Sequence, residues 1–132
     1  MLTGRRELVY AAVAGSRTPL TAYEILDRLR RYGVTAPPTV YRALSYLVES
    51  RMIHRIESLN AYVACDSVEQ PHEGYFVICR DCGSVSEILD ERLERTIAEL
   101  ADERGFKIDH RTIEASGQCR ECQVKIPERP AA

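Results

Sequence analysis

Residues 36–65, "APPTVYRALSYLVESRMIHRIESLNAYVAC", change their period halfway along, and that change decides the fold. Val40, Leu44, Leu47 and Val48 recur at i, i+4, i+7 and i+8, the stripe of an amphipathic helix. Pro37 and Pro38 suit its first turn, where backbone N–H groups have no helical partner anyway. Thr39, Tyr41, Arg42 and Tyr46 fall largely away from the stripe. From Met52 onward the period shortens. "MIHRIES" and "NAYVAC" are two short runs around the turn-like Leu59–Asn60, which predicts a β-hairpin.

Two more helices are expected ahead of this stretch. Leu8, Val9, Ala12 and Val13 make one stripe in residues 5–14, ended by Gly15, Ser16 and Pro19. In "TAYEILDRLRR", Thr21 and Glu24 fit a capping box, Ala22, Ile25, Leu26 and Leu29 form a buried face, and Gly33 stops the helix. Three short helices followed by a hairpin is the order of a winged helix-turn-helix. In that fold the third helix enters the major groove and its N-terminal residues meet bases, which makes Thr39 in the first turn a candidate. Charge points the same way. Residues 1–58 carry nine Lys/Arg and five Asp/Glu, whereas residues 59–132 carry nine and fifteen. A basic half suits a polyanion and an acidic half does not.

Residues 66–74, "DSVEQPHEG", are polar, contain Pro71 and Gly74, and read as a hinge. Beyond them "YFVIC" and "SVSEI" are expected strands around a Cys-x-x-Cys knuckle. "DERLERTIAELADERG" is expected as a helix with Leu93, Ile97, Leu100 and Ala101 inward, and "FKIDHRTIEASG" as a further strand. The expected organisation is therefore α+β: a winged-helix domain over residues 1–65, a hinge over 66–74 and a small α/β domain over 75–132. The 132 residues suffice for one compact domain or two very small ones. No apolar run approaches the length of a membrane span, and "MLTGRRELVY" lacks the apolar region of a signal peptide, so a cytoplasmic protein without a membrane partner is expected.

Five cysteines in such a chain argue for metal binding or catalysis rather than disulfides. Cys79-x-x-Cys82 and Cys119-x-x-Cys122 lie 36 residues apart and offer four thiolates, the tetrahedral set that structural zinc prefers. A redox dithiol needs only one such pair, and an iron–sulfur cluster would also accept four thiolates. Cys65 is the odd thiol. With His54, His72 and Glu87 it gives a mixed nitrogen, sulfur and oxygen set able to form a second tetrahedral site. Singly, each also has an ordinary reading: Cys65 as a small buried residue, His72 and Glu87 as solvated ones, His54 as a capping or snorkelling side chain. His110, with no such partner near in sequence, reads as a half-exposed strand histidine.

The segment "PPTVYRALSYLVESRMIHRIESLNAYVAC", then His72, "FVICRDCGSVSEI" and "GQCREC", resembles the ferric uptake regulator superfamily of bacterial metal-responsive repressors, and within it the zinc uptake regulator branch. The resemblance implies a structural zinc at Cys79, Cys82, Cys119 and Cys122, and a regulatory zinc at positions matching His54, Cys65, His72 and Glu87, two ions per protomer. It implies DNA contacts from Tyr41 and Arg42, a homodimer assembled through the second domain, and double-stranded operator DNA as the partner. The implied function is a zinc-responsive repressor of zinc uptake genes, with a family sensor of iron, manganese or peroxide as the alternative. An enzyme acting on a small-molecule substrate is not expected, because four plausible ligands fill each site and no nucleophilic dyad is evident. Two departures stand out. Relatives usually carry a helix ahead of the segment matching "LTGRREL", without which a chain makes fewer phosphate contacts whether the helix is missing by truncation, by a late start or by nature, and Gly4 replaces a proline of the family's pattern.

Overall fold

The computed structural model describes residues 4–65 and 74–125. Helix α1 spans Arg5–Ala14, strand β1 Leu20–Thr21, α2 Ala22–Leu29 and α3 Pro37–Glu49, with a single 3-10 turn at Arg30–Tyr32. Strands β2 (Ile53–Ile56) and β3 (Ala61–Ala64) form the hairpin. Then follow β4 (Gly74–Cys79), β5 (Val85–Glu87), α4 (Glu91–Glu103), β6 (Thr112–Gly117) and α5 (Arg120–Lys125).

Local chemistry sets the helix-turn-helix. Thr21 Oγ1 accepts the Glu24 N–H at 3.2 Å, and Glu24 Oε1 accepts the Thr21 N–H at 2.9 Å, which closes the capping box at the start of α2. Gly33 adopts φ 86°, and the Val34 N–H turns back to the Leu29 carbonyl, so the chain leaves the helix without a Cβ penalty. Pro37 and Pro38 then open α3. At the N-terminus Gly4 has φ 55°, a value proline cannot reach, so the glycine at this departure from the family pattern suits its own backbone.

The three helices bury Val9, Val13, Ile25, Leu26, Leu29, Val40, Leu44 and Leu47 against Leu20, Ile53 and Tyr62 of a three-stranded wing ordered β1-β3-β2. Strand β1 adds a third strand to the expected hairpin by pairing Leu20 with Tyr62 and Thr21 with Ala61. Val48 lies at the edge of the helical stripe and is exposed, while Ala43 is buried in its place.

The second sheet is ordered β5-β4-β6, with β4 antiparallel to β5 and parallel to β6. Several details differ from the sequence reading. Strand β6 begins at Thr112 rather than Phe106, so His110 precedes the strand and is exposed, 3.2 Å from Thr112 Oγ1. The second cysteine pair opens a short helix, α5. No residue of α4 is buried, and Leu100 and Phe106 are exposed, because the period marks an apolar face without supplying what covers it. The hinge reading begins outside the described residues, at 66–73, and its last residue, Gly74, already belongs to β4.

A second, smaller apolar cluster joins the two sheets. Ile56 of the wing packs with Phe76 and Ile78 of β4, with Val63 and Val85 at its edge. Among the described residues no helix is long and apolar enough to cross a membrane.

Candidate metal centres and nucleic-acid interface

Parallel pairing explains how two knuckles 36 residues apart in sequence meet. The β4–β6 register runs from Gly74↔Thr112 to Cys79↔Gly117, so both strands end together and release Cys79 and Cys119 side by side. The Arg80 N–H extends the pairing to the Gly117 carbonyl at 2.9 Å. Gly83, at φ 79°, turns the first knuckle, with its N–H on the Cys79 carbonyl at 3.0 Å. Gln118 Nε2 donates to Asp81 Oδ2 at 2.9 Å and ties one knuckle to the other.

The four sulfurs of Cys79, Cys82, Cys119 and Cys122 lie within 4.8 Å of one another, and no disulfide joins them. Cys82 Sγ stands 3.8 Å from Cys119 Sγ. A tetrahedron with zinc–sulfur arms of about 2.3 Å has edges of roughly 3.8 Å, so this spacing fits the ion. The electrostatics also fit. The Cys119 N–H points at Cys79 Sγ from 3.4 Å and, with the Cys82 amide, brings the Cys79 thiol down to about 6. The Ser84 hydroxyl, 3.1 Å away, lowers Cys82. Burial, then the neighbouring thiols, push Cys122 up to about 12. Four adjoining sulfurs, two of them with lowered thiols, make a donor set that zinc accepts.

The second predicted set is brought together in part. His54 stands on β2, Cys65 follows β3 with its N–H on the Met52 carbonyl at 2.9 Å, and Glu87 ends β5. Their donor atoms lie within 4.8 Å of one another. His54 Nε2 is 3.0 Å from Glu87 Oε2, with side chains 11% and 4% exposed, and Cys65 is buried. The edge of Phe76 supports the His54 ring, at 5.4 Å between centroids and 64° between planes. An imidazole, a thiol and a carboxylate on converging strands form a donor set that zinc accepts. His72, the fourth predicted member, lies outside the described residues.

On α3, Tyr41 and Arg42 are exposed, and Thr39 is half-buried in the first turn. Tyr41, Arg42, Ser45, Tyr46 and Glu49 share a shallow, open depression with Arg6 of α1. The Arg6 guanidinium lies 3.7 Å above the centre of the Tyr46 ring, a cation–π contact that fixes a second positive group beside Arg42. Sequence reading singled out Tyr46 only as lying off the helical stripe. Arg6 carried no local signal, because its place beside α3 depends on helix packing.

The sequence model of the Ferric uptake regulator family matches residues 1–116. The zinc uptake regulation protein of Escherichia coli (strain K12) is 41% identical over 123 residues, covering 92% of this chain and 72% of that one. That of Mycobacterium tuberculosis (strain ATCC 25618 / H37Rv) is 34% identical over 107 residues, covering 78% and 79%. Among solved structures, a zinc uptake regulator complexed with zinc and DNA superposes with a TM-score of 0.88 at 39% identity, over 98% of this chain and 87% of that one. The crystal structure of holo XcZur gives 0.85 at 37% identity, over 93% and 86%. With a winged helix-turn-helix, paired cysteine knuckles and a match over most of its length, the chain belongs to the ferric uptake regulator family.

Proposed function

We propose that this chain is a zinc-responsive transcriptional repressor that binds double-stranded operator DNA as a homodimer and controls zinc uptake genes from the cytoplasm. The observation that carries the reading is the convergence of His54, Cys65 and Glu87, which come from the wing and from the second sheet. Residues 1–65 act as the DNA-binding domain, 66–74 as the hinge and 75–132 as the dimerisation and zinc-binding domain. Cys79, Cys82, Cys119 and Cys122 hold the structural ion. His54, Cys65, His72 and Glu87 hold the regulatory one, making two per protomer.

When bound, regulatory zinc supplies the positive charge around which an imidazole, a thiolate and a carboxylate from separate segments are satisfied at once. The rest follows from the chain's own residues. Glu87 draws His54 and the wing toward β5, and the wing carries α3 through the shared helical core. Two recognition helices must stand about one DNA turn, or a multiple of it, apart to enter successive major grooves together. A ligand favouring the docked arrangement shifts the population toward it in proportion to its differential affinity. Thr39, Tyr41 and Arg42 then meet bases, and Arg6 adds positive charge facing the phosphates. With His72 as its fourth donor, the regulatory centre, like the four-cysteine one, would be filled by protein groups, which favours binding over catalysis. The soft thiolate of Cys65 beside an imidazole favours zinc over iron or manganese.

The test is a titration of free zinc against binding of a duplex selected from a random pool by the zinc-loaded chain. Affinity should rise with zinc in the wild type and lose that response in His54→Ala. Binding that ignores zinc would overturn the reading.

A further inference from the structure

One side chain outside both metal sets also crosses between the two sheets. Glu114 on β6 is the register partner of Phe76 on β4, and Phe76 is in turn the partner of Glu87 on β5. Cross-strand partners project to the same face, so Glu87, Phe76 and Glu114 form one row facing the wing. Each member takes a different part of it. Glu87 meets His54, Phe76 packs on Ile56, and Glu114 reaches the turn beyond Ile56.

The contact is specific. Glu114 Oε2 accepts the Glu57 N–H at 2.8 Å, and Oε1 accepts the Ser58 N–H at 3.2 Å. The β2–β3 ladder ends at Ile56, and the turn's own bonds run from Leu59 and Asn60 back to Ile56 and Glu57. The Glu57 and Ser58 amides therefore point outward from the wing as a pair. Two adjacent N–H groups make a small anion-binding concavity, and a carboxylate bonds to them with charge assistance. Glu87 and Glu114 lie on opposite flanks of Phe76, so they resist rotation of the wing about a single point of attachment.

We propose that Glu114 is a positioning residue that latches the wing's turn to the second sheet without any metal, and so sets how far α3 is aligned before zinc binds. This deepens the zinc-dependent reading above and rests on it. Full-length Glu114→Ala should need about fivefold to thirtyfold more free zinc for half-maximal binding of the selected duplex. Glu114→Gln keeps one accepting oxygen and should fall between, at about twofold to fivefold. Amide hydrogen exchange of chains freed of the exchangeable zinc by mild chelation gives the second readout. In Glu114→Ala the Glu57 and Ser58 amides should lose protection while Val40–Leu47 keeps it, which separates an undone latch from unfolding.

Equal exchange at Glu57 and Ser58 in wild type and Glu114→Ala would overturn the latch. Altered exchange with an unmoved zinc response would overturn its positioning role. If the wild type itself showed no zinc response, the functional reading would fail while the exchange comparison still decided whether the latch exists.

Discussion

Ile56 is the sharpest place to perturb the contact between the two sheets. It is fully buried and belongs to the small cluster with Phe76 and Ile78, not to the helical core built on Val9, Ile25, Leu44 and Leu47. Truncating a buried Ile costs about 0.5–1.5 kcal/mol as Val and about 2–5 kcal/mol as Ala. A cluster with three buried members can relax around the gap, so the low end applies: about 0.5 kcal/mol for Ile56→Val and about 2 kcal/mol for Ile56→Ala. If that loss falls on docking, the docked fraction falls and apparent zinc affinity falls with it. The free zinc needed for half-maximal DNA binding then rises by about twofold for Val and by up to about thirtyfold for Ala. The assay is fluorescence anisotropy of the selected duplex over buffered zinc, paired with denaturant unfolding followed by circular dichroism. The helical signal should keep its midpoint within a few tenths of a molar. A lowered midpoint with an unmoved zinc response would show instead that Ile56 serves the wing's own fold and not its docking.

Four further outcomes are expected. In Gly74→Ala the new Cβ would stand 2.6 Å from Phe76 Cε2, and that ring is only 2% exposed. Overpacking of about 1–3 kcal/mol should displace the ring behind His54 and weaken the exchangeable zinc, with the tightly held ion unchanged by metal analysis. Arg42→Ala should abolish binding of the selected duplex while leaving zinc content and dimer mass as in the wild type; loss of zinc would mean that α3 is misassigned. In the zinc-free chain at neutral pH, mass spectrometry should find Cys82 alkylated well before Cys122, since Cys82 is exposed with a lowered thiol and Cys122 is buried and raised to about 12. Arg92, bonded to Asp90 Oδ2 at 2.7 Å, brings the Asp90 carboxyl down from 3.8 to about 2. A depressed carboxylate stabilises the fold above its ordinary value and loses that contribution as pH falls. The stability difference between wild type and Asp90→Asn should therefore shrink from pH 3.8 toward about 2 in denaturant unfolding, and a constant difference would exclude the ion pair as its cause.

What the sequence made legible was whatever its own neighbours dictate. The Thr21–Glu24 box, the Gly33 stop and the Pro37–Pro38 start act within a few residues, and each stands where expected. The cysteine pairs were legible because sulfur at that spacing has few uses, although their meeting depends on the parallel β4–β6 register. Strand β1 was not legible: two residues make a strand only because Tyr62 and Ala61 lie beside them. The same holds for Glu114, whose partners are 57 and 56 residues away, and for Arg6, placed over Tyr46 by helix packing. The β6 boundary was missed because Phe106 and Ile108 alternate with polar residues as a strand does, yet residues 106–111 have no pairing partner among the described strands. The stripe on α4 was legible as a period: Leu93, Ile97 and Ala101 are half-buried, and Leu100 alone of the four is exposed, having no cover among the described residues.

The most direct test of the central claim is to count zinc per chain and measure affinity for the selected duplex on the same samples through stepwise chelation. Two ions per chain are expected, one leaving under mild chelation. DNA affinity should fall in step with that first loss, while the four-cysteine ion stays and the chain remains folded. Glu87→Ala should begin with one ion and no zinc response. Undiminished DNA affinity after the first ion has left, or a single ion per chain that no added zinc increases, would contradict the account.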